Sequence, residues 1–177
     1  SAYNVRMSDT ANPIAAEFLA YSADRLRTLQ KTIAACCDKL SGDQMLWRAG
    51  DFDNSIANLL VHLAGNMRQW ILHSVRGDPD VRRRDDEFSI SLEATPAEAR
   101  TVFDATLDEA AQVIAALDPA RLLEIIDPQP NGTWRHTPIL DAIYKVVGHV
   151  DHHAGQIIMA TKRLTAGDLD LSMPRKK

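Results

Sequence analysis

What this chain has little of narrows its chemistry before any motif is read. Its 177 residues include two cysteines, Cys36 and Cys37. They are adjacent in a helical pattern, where neighbouring side chains point about 100° apart, so no disulfide framework is implied. There is no apolar run of roughly 18 residues and no signal-peptide core, which leaves no spanning helix and gives the cytoplasm as the expected location. A formal charge of -4 and a pI near 5.8 offer no basic footprint for nucleic acid. Arg82-Arg83-Arg84 is followed at once by Asp85, Asp86 and Glu87, so this stretch reads as a solvated loop. His-Glu-x-x-His is absent, as are the Glu-x-x-His pairs of di-iron bundles and any glycine-rich phosphate loop, which sets those chemistries aside. No segment alternates with a period of two, and no repeat or low-complexity tract occurs, so the expected class is all-α.

What is present is helical. Composition is that of an ordinary globule, 45% hydrophobic and 25% charged, and a chain of this length buries about 70% of its unfolded surface in one domain. Apolar residues recur at spacings of three and four in four segments. The first runs from about Pro13 to Leu40, with Ile14, Phe18, Ser22, Leu26, Leu29, Ile33, Cys36 and Leu40 in one stripe. Asn12 and Pro13 start it and Ser41-Gly42 end it. The second runs from about Ser55 to Val75, with Ile56, Leu60, Leu63, Met67 and Trp70 inward and Gly77 and Pro79 closing it. Thr95 caps the third and Pro96 opens it; Phe103, Leu107, Ala110, Ile114 and Leu117 form its stripe. The fourth begins at Thr137-Pro138 and reaches about Leu164, with Ile139, Ile143, Val146, Val150, Ile157 and Leu164 inward and Gly167 just past its end. The expected organisation is a flexible segment over 1–11, a bundle over 12–166 and a tail over 167–177. Links over about 41–54, 77–94 and 118–136 exceed the roughly two to eight residues of tight helix hairpins. At ~3.3 Å per residue they can cross a bundle end to end, which permits parallel neighbours.

Three histidines stand out on these helices. His149 and His153 at i and i+4 lie about 40° apart in azimuth and ~6 Å apart along the axis, so both rings can lean to one point. His62, on a flank with Leu59, Asn66 and Trp70, supplies a third imidazole from the second helix. A set of three leaves a divalent metal open positions, and imidazole suits Zn, Ni, Fe or Cu. Such a metal lowers the pKa of a bound water or thiol. Asn66, Trp70 and Gln156 are the candidates to line the groove or support the ligands, with Asp151 a weaker one, turned away from the His149–His153 edge. Asp53 is the one candidate base. His152 faces solvent or a neighbouring chain, His136 belongs to a loop, and His73 lies ~16 Å along the axis from His62, too far to share one ion. Cys36 and Cys37 read as inert packing, and Trp47, Trp70 and Trp134 as packing anchors.

At these residues the chain resembles the DinB/YfiT-like superfamily of metal-binding four-helix bundles. The matching features are His62-Leu-Ala-Gly-Asn-Met-Arg-Gln-Trp70 and the closing His149-x-x-x-His153-x-Gly-Gln156-Ile157, and the likeness extends from Phe18 to about Leu164. The wording around His62 is most similar to a branch of unknown function. The resemblance implies an up-down-down-up bundle in which His62, His149 and His153 bind a divalent metal, commonly zinc or nickel. Members with known activity include thiol-dependent S-transferases and a thiol-dependent isomerase. The expected function is therefore a metal-dependent enzyme, a thiol S-transferase or a hydrolase, using a low-molecular-weight thiol or water against a small-molecule substrate. The alternative is a non-enzymatic metal-binding or dimerisation module. A homodimer is expected, without a nucleic-acid or membrane partner.

Overall fold

A computed structural model describes residues 13–129 and 135–171. Among the described residues the fold is helical apart from one short strand pair. Helix α1 spans Pro13–Cys37 and buries Leu19, Ser22, Ala23, Leu26, Leu29, Ile33, Cys36 and Cys37. Ile14 was expected in this stripe, but it is 79% exposed because the first turn lies beyond the point where the core begins at Leu19. The cap assigned to Asn12 lies outside the described residues, as does Trp134. Ser41, read in the sequence as part of a stop, instead starts the short helix α2 (Gly42–Leu46). Its side chain accepts from the Gln44 amide while the Gln44 side chain accepts from the Ser41 amide, a reciprocal cap that satisfies two otherwise unpaired donors. α1 itself ends earlier, at Cys37.

Ser55 caps helix α3 (Ile56–Met67) through the Asn58 amide. The backbone then widens into a π-helical segment, Arg68–Arg76, within which the Ser74 hydroxyl donates to the Gln69 carbonyl at 2.8 Å. Gly77 ends it in the left-handed region at φ 98, with its amide and that of Asp78 bonded to the His73 and Leu72 carbonyls. This is the closing arrangement that glycine adopts without a Cβ penalty. Helix α4 (Pro96–Ala115) starts as its sequence predicts, with Thr95 as cap, Pro96 in the first turn and Glu98 completing a capping box. A 3₁₀ turn at Pro119–Leu123 leads to β1 (Ile125–Ile126), paired antiparallel with β2 (Thr137–Pro138). Two-residue strands are too short to show alternation, which is why the sequence offers no sign of them. Thr137 therefore pairs with Ile126 instead of opening the helix, and helix α5 (Ile139–Thr165) begins directly after Pro138. Its left-handed terminal residue is Ala166 (φ 52), next to the expected Gly167.

α1 packs on α4 and α5, and α3 packs on the same two helices, so the four long helices enclose one core. That core takes Phe103, Leu107, Ala110 and Ile114 from α4 and Ile139, Ile143, Val146, Val150 and Ile157 from α5. Leu169, expected in the tail, is also buried in it. No helix of the described residues is long and apolar enough to cross a membrane.

Candidate metal centre

α3 and α5 face each other across the edge of the core, and this brings the three histidines together. His62 Nε2 is 3.1 Å from His149 Nε2, which is 2.8 Å from His153 Nε2. One ligand nitrogen from each of the three falls within 4.8 Å of the others. His62 is 6% exposed, while His149 and His153 on α5 are half-buried. The cluster thus has a sealed side and an accessible side.

Counting protons shows what this cluster can take. Glu87 Oε2 lies 2.8 Å from His62 Nδ1. An ionised carboxylate only accepts, so Nδ1 carries the proton and Nε2 presents a lone pair. Likewise His153 Nδ1 donates to Gln156 Oε1 at 2.7 Å, leaving its Nε2 with a lone pair. His149 Nε2 has at most one proton to give to its two close neighbours. At least one of the two short N···N contacts therefore opposes two lone pairs unless a cation lies among them. Nitrogens around a tetrahedral zinc, ~2.05 Å from the ion, stand about 3.3 Å apart, close to the separations seen here. The donor set fits a divalent metal.

The electrostatics favour the neutral form of the two α5 rings, the form in which imidazole ligates. Burial, then the proximity of His153, His62 and Arg82, pushes His149 down to about 3. Burial also lowers His153, against the raising effect of the Gln156 hydrogen bond. For Glu87 burial acts upward, but the hydrogen bonds from Arg82 and His62 outweigh it and hold the carboxyl below its ordinary range.

Glu87 is the residue that sequence reading missed. The 82–87 stretch is solvated only between its ends: Arg83, Arg84, Asp85 and Asp86 are exposed, whereas Glu87 is 4% exposed and the Arg82 side chain is equally covered. Arg82 grips the carboxylate with two bonds of 2.8 Å, Nε to Oε1 and Nη2 to Oε2. Opposite charges five residues apart across a 3₁₀ turn (Arg84–Phe88) neutralise each other and so can be buried as a pair. The backbone is tied down as well. Asn58, one turn before His62, donates to the carbonyls of Glu87 and Ser89 at 2.9 and 3.0 Å, and Arg48 joins Asn58 Oδ1 to the Ser89 carbonyl. A Cβ on Gly65 would stand 2.1 Å from Glu87 Oε1, so the helix carries a glycine where the carboxylate needs the room. Glycine inside a helix at a cost of ~1 kcal/mol was the one available signal. The Phe88 ring, 4.6 Å from that of His62, covers the remaining side.

The other candidates separate. Gln156 contacts His153. Asn66 is 7% exposed, and its Oδ1 is buried without a hydrogen-bond partner among the described residues. Trp70 is 1% exposed, a packing anchor with the Lys145 ammonium 5.6 Å over its ring. Asp151 is not part of the site, because it pairs with Arg25 at 2.7 Å on the outer face. His152 is exposed, His73 bonds the Asp78 carbonyl, and the His136 amide bonds Asp127. Asp53 is exposed and borders a cavity of about 340 Å³ that also takes in Trp47, Phe52, Leu59, Gln156, Met159 and Arg163. Trp47, expected as an anchor, is 38% exposed there. Cys36 and Cys37 are buried and unbridged; burial raises both thiols, Cys37 to about 11.

An all-α protein with a three-histidine cluster between two helices is thus the class that fold and site define. The chain belongs to the family described as protein of unknown function (DUF1572), which it matches over residues 13–177. No curated protein matches it.

Proposed function

We propose that this is a divalent-metal protein of DinB-like architecture, in which His62, His149 and His153 hold zinc or nickel. We further propose that it acts as a metal-dependent enzyme on a small molecule, by thiol S-transfer or hydrolysis. The observation that carries the reading is the proton count above: three converging Nε2 atoms with too few hydrogens to satisfy their contacts. Contact order supports an up-down-down-up bundle. Arg25 meets Asp151 and Cys36 lies beside Thr161, so α1 and α5 advance together. Asp38 with Arg100 and Gln30 with Asp104 set α1 against α4. Arg76 with Glu109, and Ala64 with Val102 on one cavity wall, match a parallel α3–α4 pair. His62 with His149 and Trp70 with Lys145 match an antiparallel α3–α5 pair.

A divalent cation bound here supplies Lewis acidity, lowering the pKa of a water or thiol. The protein's own part is positional. Glu87 keeps the His62 proton on Nδ1, and Gln156 does the same for His153. The cavity beside Gln156 offers an apolar wall, Leu59, Phe52 and Met159, with Arg163 and Asp53 among its lining residues, a shape suited to a substrate with an apolar body and a polar end. Asn66 Oδ1, without a hydrogen-bond partner among the described residues, adds an acceptor one turn past His62. Metal analysis of untagged protein, followed by thiol-conjugation and ester-hydrolysis assays with and without chelator, tests the reading. The expected result is one metal per chain and chelator-sensitive turnover. Stoichiometric metal with no turnover on either panel would replace the enzyme with a metal-binding or assembly module.

A further inference from the structure

The geometry points to a role for segment 82–89 as a metal-responsive strap: Glu87 and Arg82 are positioning residues that couple its docking on α3 to occupancy of the three-histidine site. The inference rests on the metal reading above and adds a linkage to it.

The strap is anchored through Arg82, Glu87 and Ser89, while Arg83, Arg84, Asp85 and Asp86 between them are exposed and the flanking Val81 and Ile90 are 69% and 76% exposed. Among the described residues it is held by the Glu87 carboxylate on His62 and the two Asn58 bonds to α3, by the Arg48 bond to Ser89 from the preceding link and by the Arg82 bond to Gln69 of the π-helical segment. One of these anchors, His62, is also a ligand. A cation on Nε2 makes the Nδ1 proton a better donor to Glu87, and the carboxylate in turn makes Nε2 a better ligand. Thermodynamic linkage requires the two effects to be equal: whatever factor docking adds to metal affinity, metal adds to docking. Outer partners of ligating histidines are worth about 10- to 100-fold in affinity, so strap opening should become rarer by the same factor when metal binds. Gly65 belongs to the device, because a methyl group there takes the place of Glu87 Oε1.

The strap carries its own reporter, since Arg83 and Arg84 are exposed sites for trypsin. Full-length untagged protein is digested with and without Zn(II), after calorimetry has shown one zinc per chain. Cleavage after Arg83 and Arg84 should slow by at least about tenfold with zinc, because cutting follows the population of the opened segment. Zinc bound at one per chain with an unchanged cleavage rate overturns the strap. Failure to bind zinc overturns the three-histidine reading instead, so the two are distinguishable. In variants that keep the helical circular dichroism, Glu87→Gln and Gly65→Ala should each weaken zinc about 10- to 100-fold. The effect of Gly65→Ala should vanish in a Glu87→Gln background, since both act through one carboxylate. A low-field ring N–H proton from His62 should be visible in the parent and shift upfield in Glu87→Gln, whose amide oxygen is an uncharged acceptor. Wild-type zinc affinity in Glu87→Gln, or additive effects in the double variant, would remove Glu87 from this role.

Discussion

The two walls of the histidine cluster are built differently. On the α3 wall His62 is 6% exposed and locked from behind by Glu87, which Arg82 holds in turn. On the α5 wall His149 and His153 are half-buried, and among the described residues the supporting hydrogen bond is that of His153 to an exposed glutamine, Gln156. For the metal site proposed above, the difference would separate two requirements: one side fixing a ligand's tautomer behind a buried hydrogen bond, the other leaving an accessible approach to the cation. A site sealed on both sides could be only structural, and one open on both would lose its ligand geometry.

The sharpest break in this comparison is Glu87→Ala. Leaving the Arg82 guanidinium buried without its partner should destabilise the fold by about 3–5 kcal/mol, read by urea denaturation of the metal-free protein. A cost below ~1 kcal/mol would show that the strap is not docked in solution. Next comes the contrast between His62→Ala and His153→Ala. Both should abolish stoichiometric metal, yet their metal-free stabilities should differ. His62→Ala strips a buried hydrogen bond from Glu87, about 1–3 kcal/mol, whereas His153→Ala changes a half-exposed site and should cost less than ~1 kcal/mol. Equal losses would erase the distinction between the walls.

The cysteines sharpen it from outside. They are the soft ligands that the fold keeps away from the cluster, and burial holds Cys37 protonated up to about 11 against an ordinary 9.0. Between those values the unfolded chain has lost a proton that the native state keeps, so stability falls as pH rises from about 9 to 11. The loss is on the order of 2 kcal/mol, and Cys37→Ser in parallel denaturation curves should flatten that limb. At neutral pH both thiols should resist alkylation in the native protein and react once it is unfolded. The smallest effect is expected at Gln156→Ala, where the supporting group is exposed and water can replace it. Zinc affinity should fall by less than about tenfold, below the loss at Glu87.

Much of this arrangement could be read along the chain wherever neighbours in sequence are neighbours in space. His149 and His153 declare a shared face by their spacing, and Thr95-Pro96 with Glu98 declares a helix start, because each relation closes within one turn. Asn58, His62 and Gly65 follow the same rule on α3, but the purpose of the asparagine and the glycine is invisible without the strap that docks on them. The solvated-loop reading held over 83–86 and failed at Arg82 and Glu87 for this reason. A charge run looks hydrated until a buried partner 25 residues upstream, His62, takes one of its members. Ser41-Gly42 was misread because a capping serine and a stopping glycine look alike until the backbone direction after them is known.

By itself the sequence determined the helices, their apolar faces and the pairing of two imidazoles on α5, since these follow from the 3.6-residue period and short-range capping. Only the tertiary structure decided that His62 joins them, that Glu87 and Arg82 are buried behind it, and that the cysteines stay apart. Those outcomes depend on which faces pack together across long connections, where the chain's local preferences leave direction and register open.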